Sequence, residues 1–346
     1  MGRCPEGAEG EATWSLQLRP RGIPLRPSAT SPAKLGEETG ARLTLVFEQL
    51  LNGVQLGVML FLLAAGLTLV FGIMGVINLA HGSLYMIGAY AGAVVAAKTG
   101  SFLVAFPSAL LAAAAVGMLM EAIVVRRLYA RDHLDQVLAT FALILIFNEL
   151  ITIAFGRQPL FVSVPPVLNG SVELLPGLKY PAYRLAIIFV GLLVGIGLYG
   201  LIQHTRVGML VRAGATHRDM VRALGVDVRL LCTLVFGLGA LLAGLAGVMA
   251  GPILAVQVGM GEQILIMTFV VVVIGGVGSI RGAFFGALIV GIVDTLLRAF
   301  LPSLLRQVMQ GSEADALGAG LASMGVYLLM AVVLLVRPRG LFAVHA

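Results

Sequence analysis

The chain has 346 residues, of which 59% are hydrophobic and only 12% are charged, and its mean hydropathy is +1.00. Soluble domains carry roughly 25% charged residues, so this composition excludes an ordinary soluble domain. The net charge of +6 resides in short segments between apolar runs, which indicates membrane topology and acidic-lipid contact rather than nucleic-acid binding. Several runs reach the ~20 residues that cross a bilayer. We therefore predict an all-α, polytopic membrane protein.

Residues 1–42 differ from everything that follows. They contain five prolines, six basic residues and no long apolar run, a composition typical of disordered segments. They also lack the apolar core of a signal peptide. We expect a disordered N-terminal tail, followed by a membrane domain over residues 43–346.

Apolar segments of spanning length follow one another from residue 50 onwards. We expect eight or nine transmembrane helices, depending on whether 72–97 is a re-entrant pair. The loops at 126–135 and 203–230, together with Arg281 and 337–346, carry more lysine and arginine than the opposite loops, so the positive-inside rule places them in the cytoplasm. The expected apolar segments are 50–77, 83–97, 102–125, 136–155, 184–202, 231–250, two segments within 264–300, and 320–336.

Two glycine-rich breaks interrupt these apolar segments, at Gly72–Gly82 and Gly275–Gly282. Irregular backbone at membrane depth is tolerated only inside protein or beside a water-filled cavity, and such breaks often mark a transport pathway. His81 is either part of that pathway or a hydrogen-bonded packing residue that caps the first break. Together with one acid on a later span, the candidate pathway residues are Asn78, His81, Gly82, Tyr85, Glu149, Gly275, Gly276 and Gly278.

Ionisable residues inside spans are costly and therefore candidates for function. Glu121 lies close to Arg126, which favours an ion pair at the membrane edge, and Asp294 precedes Arg298 by the spacing of a helical ion pair. Glu149 has no such neighbour. These acids are scattered along the chain, whereas a proton-driven carrier would need facing acids or a histidine relay.

Small residues recur at the spacing of close helix packing, as in the pairs Gly88/Gly92, Gly191/Gly195 and Gly282/Gly286. A further stripe of alanine and glycine covers one face of the segment 240–251. Packing within one subunit is the expected use of these surfaces. The alternative is contact with a second copy of the chain or with a partner subunit.

The stretch 206–229 carries five arginines between two nearly uncharged segments. At helical spacing, Met220, Val221 and Leu224 share one face with His217, and Gly225 is placed to end the helix. The pattern predicts a short amphipathic helix in a cytoplasmic loop. The simpler reading is a positive-inside loop that only fixes topology.

Four strings carry a family resemblance: ALGVDVR and FGLGALLAGLAG at and after the end of the basic stretch, GLTLVFGIMGVINLAHGSLYMIGAY over 66–90, and the closing RPRGLF. Together they resemble the permease subunits of branched-chain amino acid ABC importers, over roughly residues 48–342. Ser83 and Arg281 depart from the family pattern, where an acid and a proline are expected. Since the resemblance begins near Glu48, we expect the natural start downstream, near Val46.

The resemblance implies that the loop 203–230 docks into a cytoplasmic ATPase and couples its motion to the membrane helices. The residues expected to make this contact are Ala213, Thr216, His217, Arg218, Asp219, Met220, Arg222, Leu224 and Gly225. It also implies a multi-pass protein of the bacterial inner membrane that carries leucine, isoleucine and valine. The implied partners are a second related permease, two ATPase subunits and an extracytoplasmic binding protein.

The sequence contains no phosphate-binding loop, metal-ligand spacing or nucleophile–base pair. We therefore expect no enzyme activity and no cofactor on this chain, with ATP bound by partner subunits. Three alternatives stay open: a sister permease for urea or short amides, an ion-coupled secondary carrier, and a membrane-embedded enzyme. The last is disfavoured because polar residues do not cluster at one membrane depth.

Overall fold

The computed structural model describes residues 32–175, 177–216, 218–309 and 311–342. Contacts divide the chain after Leu43 into two compact units, and the second unit, Thr44–Ala346, contains the helices α2 to α12. The elements in chain order are α1 (Pro32–Met74), α2 (His81–Thr99), α3 (Phe102–Met120), a π-helical turn (Glu121–Val125), α4 (Arg126–Leu128), α5 (His133–Phe155), a 3-10 turn (Pro166–Leu168), β1 (Ser171–Leu175), β2 (Leu178–Pro181), α6 (Ala182–His204), α7 (Arg206–Thr216), α8 (Arg218–Ala223), α9 (Val228–Ala250), α10 (Met260–Gly275), α11 (Ile280–Leu305) and α12 (Gly311–Val336).

The predicted all-α, polytopic class is confirmed. Within the described residues, seven helices are long and apolar enough to cross a membrane, and α10, with 16 residues, is a shorter apolar helix. The sequence-based count of eight or nine also included α2 and α10. Helix α10 is too short, whereas α2 is long enough but carries polar residues such as His81 and Ser83 in its first turn and Lys98 in its last.

The N-terminal boundary differs from the prediction. Helix α1 begins at Pro32, so residues 32–42 of the expected disordered tail are helical. Proline is favoured at the first helical position because its fixed φ suits the helix and its missing N–H is not needed there. The rest of that tail, residues 1–31, lies outside the described residues.

Helices α1 and α9 form the core of the protein. In the most apolar stretch of each, 83% and 78% of the residues are buried, whereas the other five long helices range from 11% to 28%. Each central helix is followed by a short helix and then a long one, giving the sets α1–α2–α3 and α9–α10–α11. The sets interlock, because α9 packs against α2 and α3 while Gly53 and Gly57 of α1 pack against the backbone of α11.

Glycines let the backbones of these helices touch. A Cβ on Gly88 of α2 would overlap Gly244 of α9, and a Cβ on Gly247 would overlap the carbonyl of Tyr85. Gly117 of α3 lies against Ala240 in the same way. The small-residue stripe on α9 therefore packs inside the subunit, which confirms the intramolecular reading over contact with a second permease.

The segment between α5 and α6 forms hydrogen bonds with neighbouring elements. Strands β1 and β2 pair antiparallel, with Ser171 opposite Pro181. Leu160 and Val256 exchange backbone hydrogen bonds of 2.9 Å in both directions. The Tyr180 hydroxyl donates to Asn52 Oδ1 over 3.0 Å. These contacts fix one end of α1 to the loop before α10 through the same connecting segment.

Candidate transport pathway and coupling surface

The first glycine-rich break separates α1 from α2. Gly75 adopts a positive φ of 64° directly after α1 ends. Asn78 is fully buried, and its Oδ1 accepts a hydrogen bond of 3.1 Å from the Ala80 backbone N–H. From the start of α5, Gln136 accepts a hydrogen bond from the Ile77 N–H over 3.3 Å. The break is thus held by side chains at its own start and on α5.

His81 opens α2 and is completely buried. Neither ring nitrogen has a partner with hydrogen-bond geometry. Its Nε2 lies 2.9 Å from the position that a Cβ on Gly66 would take, and that same position is 2.6 Å from the Gly239 carbonyl oxygen. Whether His81 lines a pathway or only packs at the break stays a prediction. Asn78 makes the cap, because its Oδ1 accepts a hydrogen bond from the backbone N–H of the residue two positions later.

Other polar atoms beside this break are also buried without partners, namely Thr68 Oγ1 and Asn78 Nδ2. Buried polar groups without a partner cost free energy and are rare in proteins. Three residues in the chain segment 68–81 carry such atoms, which keeps the α1–α2 break a candidate functional region.

Gly82 follows His81 and faces Gly261, the second residue of α10. A Cβ on either glycine would overlap the carbonyl oxygen of the other. Tyr85, one turn further along α2, is 1% exposed and packs in the core. The first turns of two short helices thus meet here, backbone against backbone, and close the protein interior at this point.

The second break forms a tight turn between α10 and α11. Gly276 and Gly278 adopt φ values of 100° and 84°, which L-residues rarely tolerate. Gly275 packs directly on Gly282. The backbone N–H groups of Leu341 and Phe342 donate to the carbonyls of residues 274 and 275 over 2.9 and 3.0 Å.

The structure brings the two breaks close together. A Cβ on Gly72 would lie 3.9 Å from the Cα of Gly278. Gly278 also borders a cavity of about 340 Å³ whose wall includes Arg212 and Thr216 of α7. The pathway candidates therefore divide into a buried group at residues 78–85, a turn at residues 275–278 beside the coupling loop, and Glu149.

Glu149 lies elsewhere, exposed on α5. Its neighbour Asn148 donates a hydrogen bond to the carboxylate of Glu262 in the first turn of α10. Sequence reasoning missed Glu262 because the expected span began at residue 264. The signal was the glycine at position 259, which adopts a φ of 85° directly before α10 begins at Met260.

The other two span acids singled out from the sequence, Glu121 and Asp294, are paired as predicted. Glu121 is fully buried and accepts hydrogen bonds from Arg126 over 2.8 and 3.1 Å. Tyr129 and Thr233 donate to the same carboxylate over 2.6 and 2.7 Å. Burial and this bond to Glu121 raise the pKa of Tyr129, so the phenol stays a donor. The fourfold contact ties α3 to the start of α9.

Asp294 and Arg298 form the ion pair that their spacing predicts. The Arg298 Nε atom lies 2.9 and 2.8 Å from the two carboxylate oxygens. Asp294 is only 4% exposed, while its partner reaches the surface. Because the charge is neutralised within one turn of α11, the pair is structural.

The coupling loop forms two short helices rather than one. Helix α7 ends at Thr216 and α8 occupies Arg218–Ala223. Gly225 has a φ of 82° and donates to the Arg222 carbonyl over 3.0 Å, so a left-handed glycine follows the helix as predicted. His217 lies outside the described residues, as do the side chains of Arg218 and Asp219.

The faces of α8 differ in part from the prediction. Val221 is 3% exposed, whereas Met220 and Leu224 are 64% and 79% exposed. Arg222 is also at the surface. The prediction placed Val221 on one face with Met220 and Leu224, whereas the structure buries Val221 and leaves the other two exposed, because Val221 is the one of the three that points at neighbouring helices.

The neighbouring helices hold α7 and α8 firmly. The Gly208 N–H donates to Thr205 Oγ1 over 3.1 Å, and Gly208 packs directly on carbonyls of α6. Arg212 donates to the Ile202 carbonyl. At the other end, Asp227 Oδ1 accepts from the N–H groups of Arg229 and Leu230 over 2.9 and 3.3 Å and caps α9. The coupling helices are therefore linked to both α6 and α9.

Some of the basic segments that the positive-inside rule assigns to the cytoplasm lie close together in the structure. Arg281 donates to the Tyr199 hydroxyl over 2.8 Å and borders the same cavity as Arg212. Arg126 donates to Thr233, which follows the coupling loop. Within the described residues, no group of three or more His, Cys, Asp or Glu side chains is placed to hold a metal ion.

The sequence matches the family described as the permease component of the branched-chain amino acid transport system over residues 49–336. It is 30% identical to the high-affinity branched-chain amino acid transport system permease protein LivH of Escherichia coli K12, covering 85% of this chain and 94% of the relative. BraD of Pseudomonas aeruginosa is 29% identical with the same coverage. The ribose import permease protein RbsC of Escherichia coli K12 is 27% identical over 67% of this chain and 72% of its own. No solved structure matches.

Proposed function

The chain belongs to the family of permease components of branched-chain amino acid transport systems, and we propose that it is the transmembrane subunit of an ATP-driven importer for leucine, isoleucine and valine. The observation that carries the proposal is the family match over residues 49–336, which reaches from the membrane part of α1 to the end of α12. The protein is a transport permease of the inner membrane, and its family is not a family of enzymes.

The family implies a complex with other subunits. We infer a second related permease, two cytoplasmic ATPase subunits and an extracytoplasmic binding protein. The sequence has no G-x-x-x-x-G-K-[ST] phosphate-binding loop, so ATP binding and hydrolysis belong to the ATPase subunits in this scheme.

Helices α7 and α8 are suited to receive motion from an ATPase. Met220 and Leu224 present an apolar surface beside the exposed Arg222, which is the mixture of apolar anchors and arginine that protein interfaces favour. Val221 anchors α8 on its other side. The polar residues would orient the docked ATPase while Met220 and Leu224 fill a groove on it.

Motion at this surface has a direct route into the membrane. Arg212 ties α7 to the end of α6, and Asp227 ties the loop to the start of α9. Because α9 is buried against α2 and α3, a shift of its first turns would act on the helices around Gly82. In the proposed mechanism, that shift opens and closes the contact between α2 and α10 during alternating access.

Two other functions would use the same chain differently. A sister permease for urea or short amides shares this architecture, and the similarity to a ribose import permease shows that related sequences occur in an importer of an uncharged solute. An ion-coupled secondary carrier would work without ATPases. The family match favours the importer over the carrier.

The decisive experiment measures uptake of labelled leucine in cells with and without this gene, with urea as competitor and with the partner ATPases deleted in parallel. We expect leucine uptake to require both the gene and the ATPases. Uptake that needs the gene but survives loss of the ATPases would refute the importer. Loss of urea uptake with normal leucine uptake would keep the architecture and change the substrate.

A further inference from the structure

The pair formed by Asn148 and Glu262 joins the long apolar helix α5 to the first turn of the short helix α10. Asn148 is about 22 Å along α5 from His133 and about 10 Å from the end of that helix at Phe155. Glu262 lies in the first turn of α10, and that helix is about 24 Å long from this end to the turn at Gly276. Both residues thus sit far from the coupling loop, toward the segment 156–181.

Glu262 lacks a cationic partner of the kind that Glu121 and Asp294 have. Glu121 is paired with Arg126 and Asp294 with Arg298. Among the described residues, no lysine, arginine or histidine pairs with Glu262, whose partner is the neutral amide of Asn148. A carboxylate at membrane depth is costly unless it faces water, a partner or an ion.

The surroundings of the pair are polar and open to one side. Glu262 and Gln263 are both exposed, as is Glu149 beside Asn148. Two turns along α5, Phe155 stacks on Tyr90 of α2 at 5.4 Å, and the buried Tyr90 hydroxyl has no hydrogen-bond partner. An aromatic stack between α2 and α5, with an unpartnered tyrosine hydroxyl, thus lies about 10 Å further along α5 than Asn148.

We propose that Glu262, oriented by Asn148, receives the ammonium group of the transported amino acid at a station between α5 and α10. This inference rests on the proposed function, because an amino acid zwitterion is the cargo that brings a cation to this place. The Asn148 amide holds one carboxylate oxygen of Glu262, and the other stays available for an N⁺–H donor. An uncharged cargo such as urea would gain nothing from the charge.

The test compares labelled leucine uptake at saturating substrate in cells that carry the complete transporter with wild-type or variant permease. E262Q keeps the shape and the amide contact but removes the charge, and we expect uptake to fall about tenfold to a hundredfold. The matched control is E313Q, since Glu313 is likewise an exposed acid at the third position of its helix, α12. E313Q should transport at the wild-type rate.

Membrane abundance and ATPase activity of the assembled complex are measured for every variant. N148A provides a second arm, because it leaves the Glu262 charge and removes only its orienting amide, and we expect a severalfold loss of uptake. Wild-type uptake by E262Q at normal abundance would overturn the inference, and if E262Q does not accumulate, wild-type uptake by N148A would do so. Failure of the wild-type protein to take up leucine would instead refute the proposed function itself.

Discussion

Gly82 of α2 and Gly261 of α10 lie so close that neither can carry a side chain. A Cβ on Gly82 would overlap the Gly261 carbonyl, and the reverse is equally true. The neighbouring Ser83 N–H lies 3.2 Å from the position of a Cβ on Gly261. The contact joins the first turns of α2 and α10, so it is one of the points where the two interlocked sets meet backbone against backbone.

Substituting alanine at this contact is expected to separate the two helices. The change G261A places a methyl group against backbone atoms that cannot rotate away, so the free energy of unfolding should fall by about 3 kcal/mol. Thermal unfolding of the purified permease in detergent measures the effect. G197A is the control, because a Cβ on Gly197 of α6 meets no atom within 4 Å. Equal midpoints for G261A and wild type would contradict the contact.

Breaking the buried cluster around Glu121 should destabilise the protein more than breaking an exposed ion pair does. E121A leaves Arg126, Tyr129 and Thr233 without their acceptor, and the expected loss is about 3 kcal/mol, near the lower limit for a buried pair because the Arg126 side chain is 36% exposed. Thermal unfolding again provides the measurement. D315N, which breaks the exposed pair with Arg306, should leave the midpoint unchanged. Similar shifts for both variants would argue against a stabilising role for burial.

Reversing the charges on α8 should abolish transport without affecting insertion. The double variant R218E/R222E replaces two cations that the proposed ATPase contact requires, and we expect no leucine uptake at normal membrane abundance. Co-purification of the ATPase subunits should be lost in parallel. R157E reverses an exposed charge in the segment after α5 and should transport normally. Full uptake by the double variant would defeat the docking role.

Removing the cap of α9 should weaken the link between the coupling loop and the core. D227A loses the acceptor for the Arg229 and Leu230 N–H groups. The stability of the first turn of α9 should therefore fall by about 1 kcal/mol. Hydrogen exchange of residues 228–231 should speed up, while D227N, which keeps the acceptor, should behave as wild type. Unchanged exchange in D227A would show that the first turn of α9 is held by other contacts.

Local patterns predicted much of this architecture. The apolar runs located the long helices, the spacing of Asp294 and Arg298 predicted their ion pair, and Gly225 marked the end of the amphipathic helix. Each of these features depends on residues within one or two turns, where sequence spacing determines geometry. The family resemblance, carried by short strings, is confirmed by the match over residues 49–336.

Features that join distant segments were beyond sequence reasoning. Nothing in the local sequence tells that Gly82 meets Gly261 or that Asn148 reaches Glu262. The environment of Val221 depends on which neighbours α8 packs against, which helical spacing alone does not give. The roles assigned to the coupling and pathway residues likewise stay predictions, because they concern partners and cargo rather than contacts within the chain.

The hydrogen bonds from Leu341 and Phe342 to the turn after α10 have a mechanical consequence. Helix α12 leaves α11 and returns to the end of α10, so α10, α11 and α12 form a closed linkage rather than an open chain of rods. A closed linkage transmits torque applied at any one corner to all three members. Helix α7 and Gly278 line the same cavity. A displacement of α7 there would therefore rotate α10 and move Glu262 at the other end of that helix, although the two sites do not touch.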